Sequence, residues 1–144
     1  MKKIVIVSGY FNPLHKGHLE YFEQAKQHGD QLWVIVNSDY QRELKGSKQF
    51  MQEEERLQII EALEAVNFAI ISVDQDRTVR ESIKLMSLFA CGKQIAFANG
   101  GDQTNETIPE RETCEELGIE LIDDLGGKVQ SSSWLLEGEN ETGT

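Results

Sequence analysis

Short apolar runs recur along the chain, and the stretches between them carry their apolar residues at helical spacing. Ile4-Val5-Ile6-Val7 is the first run and Leu32-Trp33-Val34-Ile35-Val36 the second. Phe68-Ala69-Ile70-Ile71-Ser72-Val73, Ile95-Ala96-Phe97-Ala98 and Ile119-Glu120-Leu121-Ile122 follow. Nearly unbroken runs of this kind predict strands buried on both faces, as in a parallel sheet. Between them, Leu19 to Ala25 reads as a helix ended by Gly29-Asp30, and Asn37-Ser38-Asp39 caps a short helical piece reaching Leu44. Gln52 to Val66 is helical, with Leu57, Ile60, Leu63 and Val66 on one side. A helix is expected to start at Asp76-Arg77-Thr78 and run through Ile83, Leu85 and Leu88. Another opens at Pro109 and ends at Leu117-Gly118, and a last one covers Ser131 to Leu136.

Strands alternating with helices in this way predict an α/β fold with a doubly wound parallel five-stranded sheet. Right-handed crossovers would bring every strand's carboxyl end to one edge. The loops at 9–17, 37–48, 74–78, 99–105 and 124–131 would then face one crevice. Residues 1–136 are expected to form this one domain, and 137–144 a polar, frayed tail.

Composition narrows the function classes. With 144 residues, 39% hydrophobic and 27% charged, the chain has globular values and length for one core. No apolar run is long enough to span a membrane, and Met1-Lys2-Lys3 leads into a strand instead of a signal peptide. Cys91 and Cys114 are expected to be reduced core or half-buried thiols, which suits the cytoplasm. The formal net charge of −11 argues against nucleic acid or an anionic membrane as partner. In so acidic a chain each basic cluster is informative. Arg42 to Lys48 is one, and Arg77 with Arg80 is another. The second pair flanks a helix start on the ligand edge, where an acceptor anion could dock on free helix N–H groups and guanidinium forks. The alternative is surface pairing with Asp74, Asp76 or Glu81.

Candidate chemistry centres on Gly9-Tyr10-Phe11-Asn12-Pro13-Leu14-His15-Lys16-Gly17-His18. Gly9 frees the strand exit, and Asn12-Pro13 is turn chemistry. Two histidines are thereby delivered to the amino end of the first helix, where open α/β sheets bind ligands and helix dipoles favour phosphate. A zinc pair would need further ligands, and no other Cys or His lies near in sequence. The stretch resembles the G-x-F-[DN]-x-x-H-x-G-H signature of the nucleotidylyltransferase superfamily, which includes cytidylyltransferases and the heptose-phosphate and mononucleotide adenylyltransferases. A long motif in the right strand-loop-helix context makes this resemblance specific.

The resemblance implies a Rossmann-like nucleotidylyltransferase fold and a reaction. An acceptor phosphate oxygen attacks the α-phosphorus of a nucleoside triphosphate, and pyrophosphate leaves. His15, His18 and Lys45 would be catalytic, with Lys48 a looser phosphate candidate beside Lys45. Gly9, Tyr10, Phe11, Asn12, Gly17, Asn99, Gly101, Asp102, Lys128, Gln130, Ser131, Ser132 and Ser133 would hold the nucleotide. Arg56 would lie near the bound phosphates or brace the basic loop, and it joins Arg77 and Arg80 as an acceptor-binding candidate. Lys128 stands near a family arginine position, and Val129 replaces a family glycine. The expected cofactor is Mg²⁺ carried on the triphosphate, with no dedicated protein ligands. Expected partners are a nucleoside triphosphate, a small anionic acceptor and a second copy in a homodimer. Small size and the resemblance to the cytidylyltransferases favour CTP as donor, with CMP passed to a small phosphorylated or phosphonylated alcohol or sugar; ATP is the alternative, and a catalytically silent nucleotide-binding protein is a further one.

Overall fold

The computed structural model describes residues 3–46, 48–100 and 109–125. Strands β1 (Lys3–Gly9), β2 (Gln31–Val36), β3 (Phe68–Ile71), β4 (Gln94–Gly100) and β5 (Glu120–Leu125) alternate with helices along the chain. The helices are α1 (Lys16–Lys26), α2 (Asp39–Lys45), α3 (Glu53–Glu61), α4 (Arg80–Phe89) and α5 (Arg111–Leu117). All strand pairings are parallel, in the order β3-β2-β1-β4-β5. The α/β doubly wound parallel sheet expected from the apolar runs is the fold observed.

Strand β1 carries the logic of the sheet in four residues. Val5 and Val7 face one apolar layer with Phe22, Ala25 and Ile60, whereas Ile4 and Ile6 face the other with Ile83, Met86 and Cys114. All four are fully buried. Each such side chain contributes roughly 1.5–3 kcal/mol by leaving water. Helices α1 and α3 therefore cover one face, and α4 and α5 cover the other. Leu57 and Ile60 on α3, and Leu63 and Val66 just beyond it, all pack into the first layer as expected.

Several boundaries differ, for local reasons. Helix α4 starts at Arg80 and not at Asp76, because Asp74 turns back to cap it. Helix α3 ends at Glu61, and Leu63 and Val66 reach the core from turns beyond it. Strands β4 and β5 run further than their apolar runs, to Gly100 and Leu125. Cys114 is in the core, but Cys91 is exposed, at a left-handed turn with φ 53°. Neighbouring strands β1 and β4 are where the sheet's winding reverses, which is where such sheets form a ligand crevice.

Candidate active site

The loop after β1 is shaped by Phe11. Its φ of 52° lies in the left-handed region, uncommon for a bulky residue. The turn folds the ring back into the core, where it is 1% exposed and meets His18 and Phe22 edge-on at 5.0 and 5.3 Å. A Cβ on Gly9 would come within 2.8 Å of that ring. Gly9 is thus required by Phe11 packing. Asn12 is also occupied: its Nδ2 donates to the Lys48 carbonyl, and its Oδ1 accepts from the amides of Phe50 and Met51. Phe11 and Asn12 are nucleotide-binding candidates whose side chains have structural tasks here. One fills the core and the other pins the basic loop.

The histidines cap α1 with each other. His15 is the N-cap residue, and its Nδ1 accepts from the Gly17 amide at 3.0 Å. His18 Nδ1 accepts from the His15 amide at 3.1 Å, closing a capping box. The rings stack with centroids 3.9 Å apart. A ring whose Nδ1 accepts an N–H must, when neutral, carry its own proton on Nε2. Burial keeps both rings neutral. It lowers the pKa of His15, and burial plus the neighbouring His15 bring His18 down to about 3. The pair therefore carries two Nε2–H groups without net charge, set in orientation by the helix's own amides.

Arg56 sits below this loop. Its side chain is fully buried, and its Nη1 donates to the carbonyls of Tyr10 and Asn37, both at 2.7 Å. Its Nε donates to the Met51 carbonyl, and Nη2 pairs with Asp39 at 2.7 Å. Asp39 and Glu53 in turn exchange backbone N–H bonds through their carboxylates. Of the two roles expected for Arg56, the structure gives the bracing one. As an acceptor-binding residue it is corrected, since no part of it reaches the surface.

Helix α4 corrects a second expectation. Its first amides are not free: Glu81 and Ser82 donate to Asp74 at 2.7 and 3.0 Å, and Val79 donates to buried Glu110 at 2.9 Å. An acceptor anion cannot dock on those groups. Arg80 takes the surface-pair alternative, with Nη2 3.4 Å from Asp76 and Nε on the Thr78 hydroxyl. Arg77 behaves differently. Its guanidinium stands beside the Tyr10 hydroxyl and partly offsets the rise in pKa that burial causes there. Lys45 Nζ lies 4.4 Å from the centroid of the same ring. Burial, with the Arg77 charge, lowers the Lys45 pKa. Among the described residues no carboxylate pairs with either cation. Two like charges held together in a chain of net charge −11 form a local anion-attracting spot.

Gly17 is buried in the first turn of α1. Asn99 is the last residue but one of β4, which neighbours β1 at the winding reversal. Gly101, Asp102, Lys128, Gln130, Ser131, Ser132 and Ser133, the last expected helix and the tail 137–144 lie outside the described residues. Of the acidic groups described, Asp39, Glu53 and Glu54 come close enough to share a cation. Two of these carboxylates are already bonded to Arg56 and to each other's amides, so they do not fit a metal cage. Sequence reasoning passed over Gln41 and Glu110, and gave Asp74 only as a surface partner for the arginines, where it caps α4. Gln41 had a readable signal in Ser38-x-x-Gln41, a capping-box spacing.

The model for the Cytidylyltransferase-like family matches residues 6–122, a span that runs from within β1 to within β5 and includes both histidines. The chain belongs to the cytidylyltransferase-like family. Family membership agrees with the resemblance carried by residues 9–18. Among curated proteins the chain is 35% identical over 131 residues to the bifunctional protein HldE of Geobacter metallireducens, covering 88% of this chain. That match covers 25% of the relative, so the chain spans about a quarter of the length of that protein. The fold is shared with the lipopolysaccharide core biosynthesis protein of Thermoplasma volcanium. There the TM-score is 0.65 at 23% identity, over 85% of this chain and 96% of that one. It is shared too with a bifunctional NMN adenylyltransferase/ADP ribose pyrophosphatase of Francisella tularensis, solved with AMP and a Mn ion. That TM-score is 0.62 at 18% identity, over 85% of this chain and 37% of that one. By family this chain is a nucleotidyltransferase. No helix among its described residues is long and apolar enough to cross a membrane.

Proposed function

We propose that this chain is an adenylyltransferase of the heptose-phosphate type, moving AMP from ATP onto the phosphate of a small sugar phosphate. The observation that carries the reading is the stacked His15–His18 pair, held neutral with both protons on Nε2. Two preset N–H donors suit the α-phosphoryl oxygens, whose negative charge builds as the acceptor oxygen attacks. The α-phosphorus–oxygen bond to the β-phosphate breaks, and pyrophosphate departs. The acceptor oxygen is already anionic, so positioning replaces a protein base. Lys45 and Arg77 hold the acceptor phosphate. Mg²⁺, when bound, supplies charge neutralisation on the triphosphate, chiefly through phosphate oxygens and water. Lys128 and Ser131 to Ser133 keep the pyrophosphate role that the family resemblance implies.

The base is the point on which the sequence and the comparisons differ in emphasis. Small size and the resemblance to the cytidylyltransferases favour CTP. The similarity to HldE, and to a solved adenylyltransferase holding AMP, supports ATP instead. The test is a thermal-shift panel of ATP, CTP, UTP and GTP with Mg²⁺, since a ligand that binds only the native state raises its Tm. ATP is expected to give the largest shift. A larger shift with CTP would return the chain to the cytidylyl reading, and no shift with any of the four would remove the nucleotide from the account.

A further inference from the structure

Gln41 is a fully buried polar side chain whose amide is completely spoken for. Its Nε2 donates to the carbonyls of Asp76 at 2.7 Å and Thr78 at 2.8 Å. Its Oε1 accepts from Asn37 Nδ2 at 3.0 Å and from the Ser38 amide at 2.9 Å. Two donors meet two acceptors and two lone pairs meet two donors, so the amide cannot be flipped without setting donor against donor. Its main-chain carbonyl accepts from the Tyr10 hydroxyl at 3.5 Å. A helix cap needs only part of this. Ser38 Oγ caps the Gln41 amide, and Gln41 Oε1 returns the bond to Ser38. The two bonds made by Nε2 do something else, because they cross 35 and 37 residues of sequence to another loop.

The carbonyls they seize belong to the residues immediately before and after Arg77. Arg77 itself is exposed, in a loop with no helical bonds of its own. We propose that Gln41 is a positioning residue for the acceptor: it clamps the backbone on both sides of Arg77 and so aims that guanidinium at the Tyr10–Lys45 spot. The inference rests on the proposed acceptor role of Arg77 and deepens it. An arginine on an unclamped loop would lose much of its benefit to conformational freedom before meeting an anion. The clamp also ties the acceptor loop to the strand-two turn and, through Tyr10, to the histidine loop. Three loops of the crevice edge thereby meet at one residue, the Arg77 loop through its side-chain amide and the histidine loop through its main-chain carbonyl.

The test is a double-mutant cycle read by phosphate binding. Inorganic phosphate is titrated, by calorimetry, into protein saturated with Mg²⁺ and α,β-methylene-ATP, which blocks both transfer and the triphosphate subsite. Wild type, Arg77→Ala, Gln41→Met and the double variant are compared. Gln41→Met keeps length and volume but donates nothing; Gln41→Glu, which sets a carboxylate against the two carbonyls, is the second variant should Gln41→Met not fold. Arg77→Ala and the Gln41 variant should each weaken phosphate about tenfold, as expected for a lost charge-assisted contact. The double variant should be no weaker than Arg77→Ala alone, and the affinity for α,β-methylene-ATP should stay within about twofold. Wild-type phosphate affinity in the Gln41 variant overturns the clamp, as do losses that multiply in the double variant or that fall equally on the nucleotide analogue. Normal phosphate binding by Arg77→Ala is a different failure. It would remove the acceptor site at Arg77, and the clamp with it.

Discussion

His18 combines burial with a polar task. It is 8% exposed, packs edge-on against Phe11, and keeps its Nδ1 on the His15 amide. The H-x-G-H spacing made the pair legible in the sequence, and so did its place at a helix start. What spacing could not give is the tautomer, which depends on which amide each Nδ1 meets, or the low pKa, which depends on the rings of Phe11 and His15 closing over the imidazole. That pKa has a consequence for stability. The unfolded ring takes its proton near pH 6.5, and the folded ring only near pH 3. Between those values the unfolded chain binds more protons, so this group's contribution is complete above about pH 6.5 and is lost as pH falls toward 3. In urea unfolding at pH 7, 5.5 and 4.5, His18→Asn should lose less stability on acidification than wild type. Equal losses would mean that His18 is not held neutral by the fold.

At the scale of elements, the site is a set of loops fastened from behind by polar side chains. Arg56 joins the loops after β1 and β2 to the segment before α3, and Asp74 and Glu110 close the start of α4. The helices themselves were readable from apolar spacing, because Leu57, Ile60 and Leu63 report a face directly. Fastenings were not, because their partners are main-chain carbonyls and amides, which every residue possesses. Arg56 looked like a phosphate ligand for that reason: its charge is visible in the sequence, but its four acceptors are not. Removing it should be costly. Arg56→Leu leaves three carbonyls and the Asp39 carboxylate without their donor, a loss of about 3–5 kcal/mol by the usual cost of breaking a buried pair. Arg56→Lys should recover little, since an ammonium cannot span a fork of four acceptors. Urea unfolding checks both, and a loss under about 1 kcal/mol in Arg56→Leu would mean that the loops hold without it.

Over the whole molecule, a sheet wound both ways from β1 brings the histidine loop, the basic loop and the Arg77 loop to one edge. The strand runs sufficed to predict that convergence, because parallel strands with right-handed crossovers leave little topological choice. They could not say which cations at that edge are free. Arg56 is buried, Arg80 is paired with Asp76, and Lys45 and Arg77 share the Tyr10 ring and hydroxyl. The chain's net charge of −11 makes that small basic spot the feature an anionic acceptor would find. Nucleotidyl transfer to an acceptor phosphate is proposed to run through the histidine pair. It is tested most directly by pyrophosphate release from ATP with Mg²⁺, with and without a panel of sugar 1-phosphates and glycerol 3-phosphate, in wild type and folded His18→Ala. Release is expected to require both ATP and a phosphate acceptor, and to fall by roughly two or more orders of magnitude in His18→Ala, the size of losing one transition-state donor. Release that needs no acceptor, or that continues at the wild-type rate in His18→Ala, would contradict it.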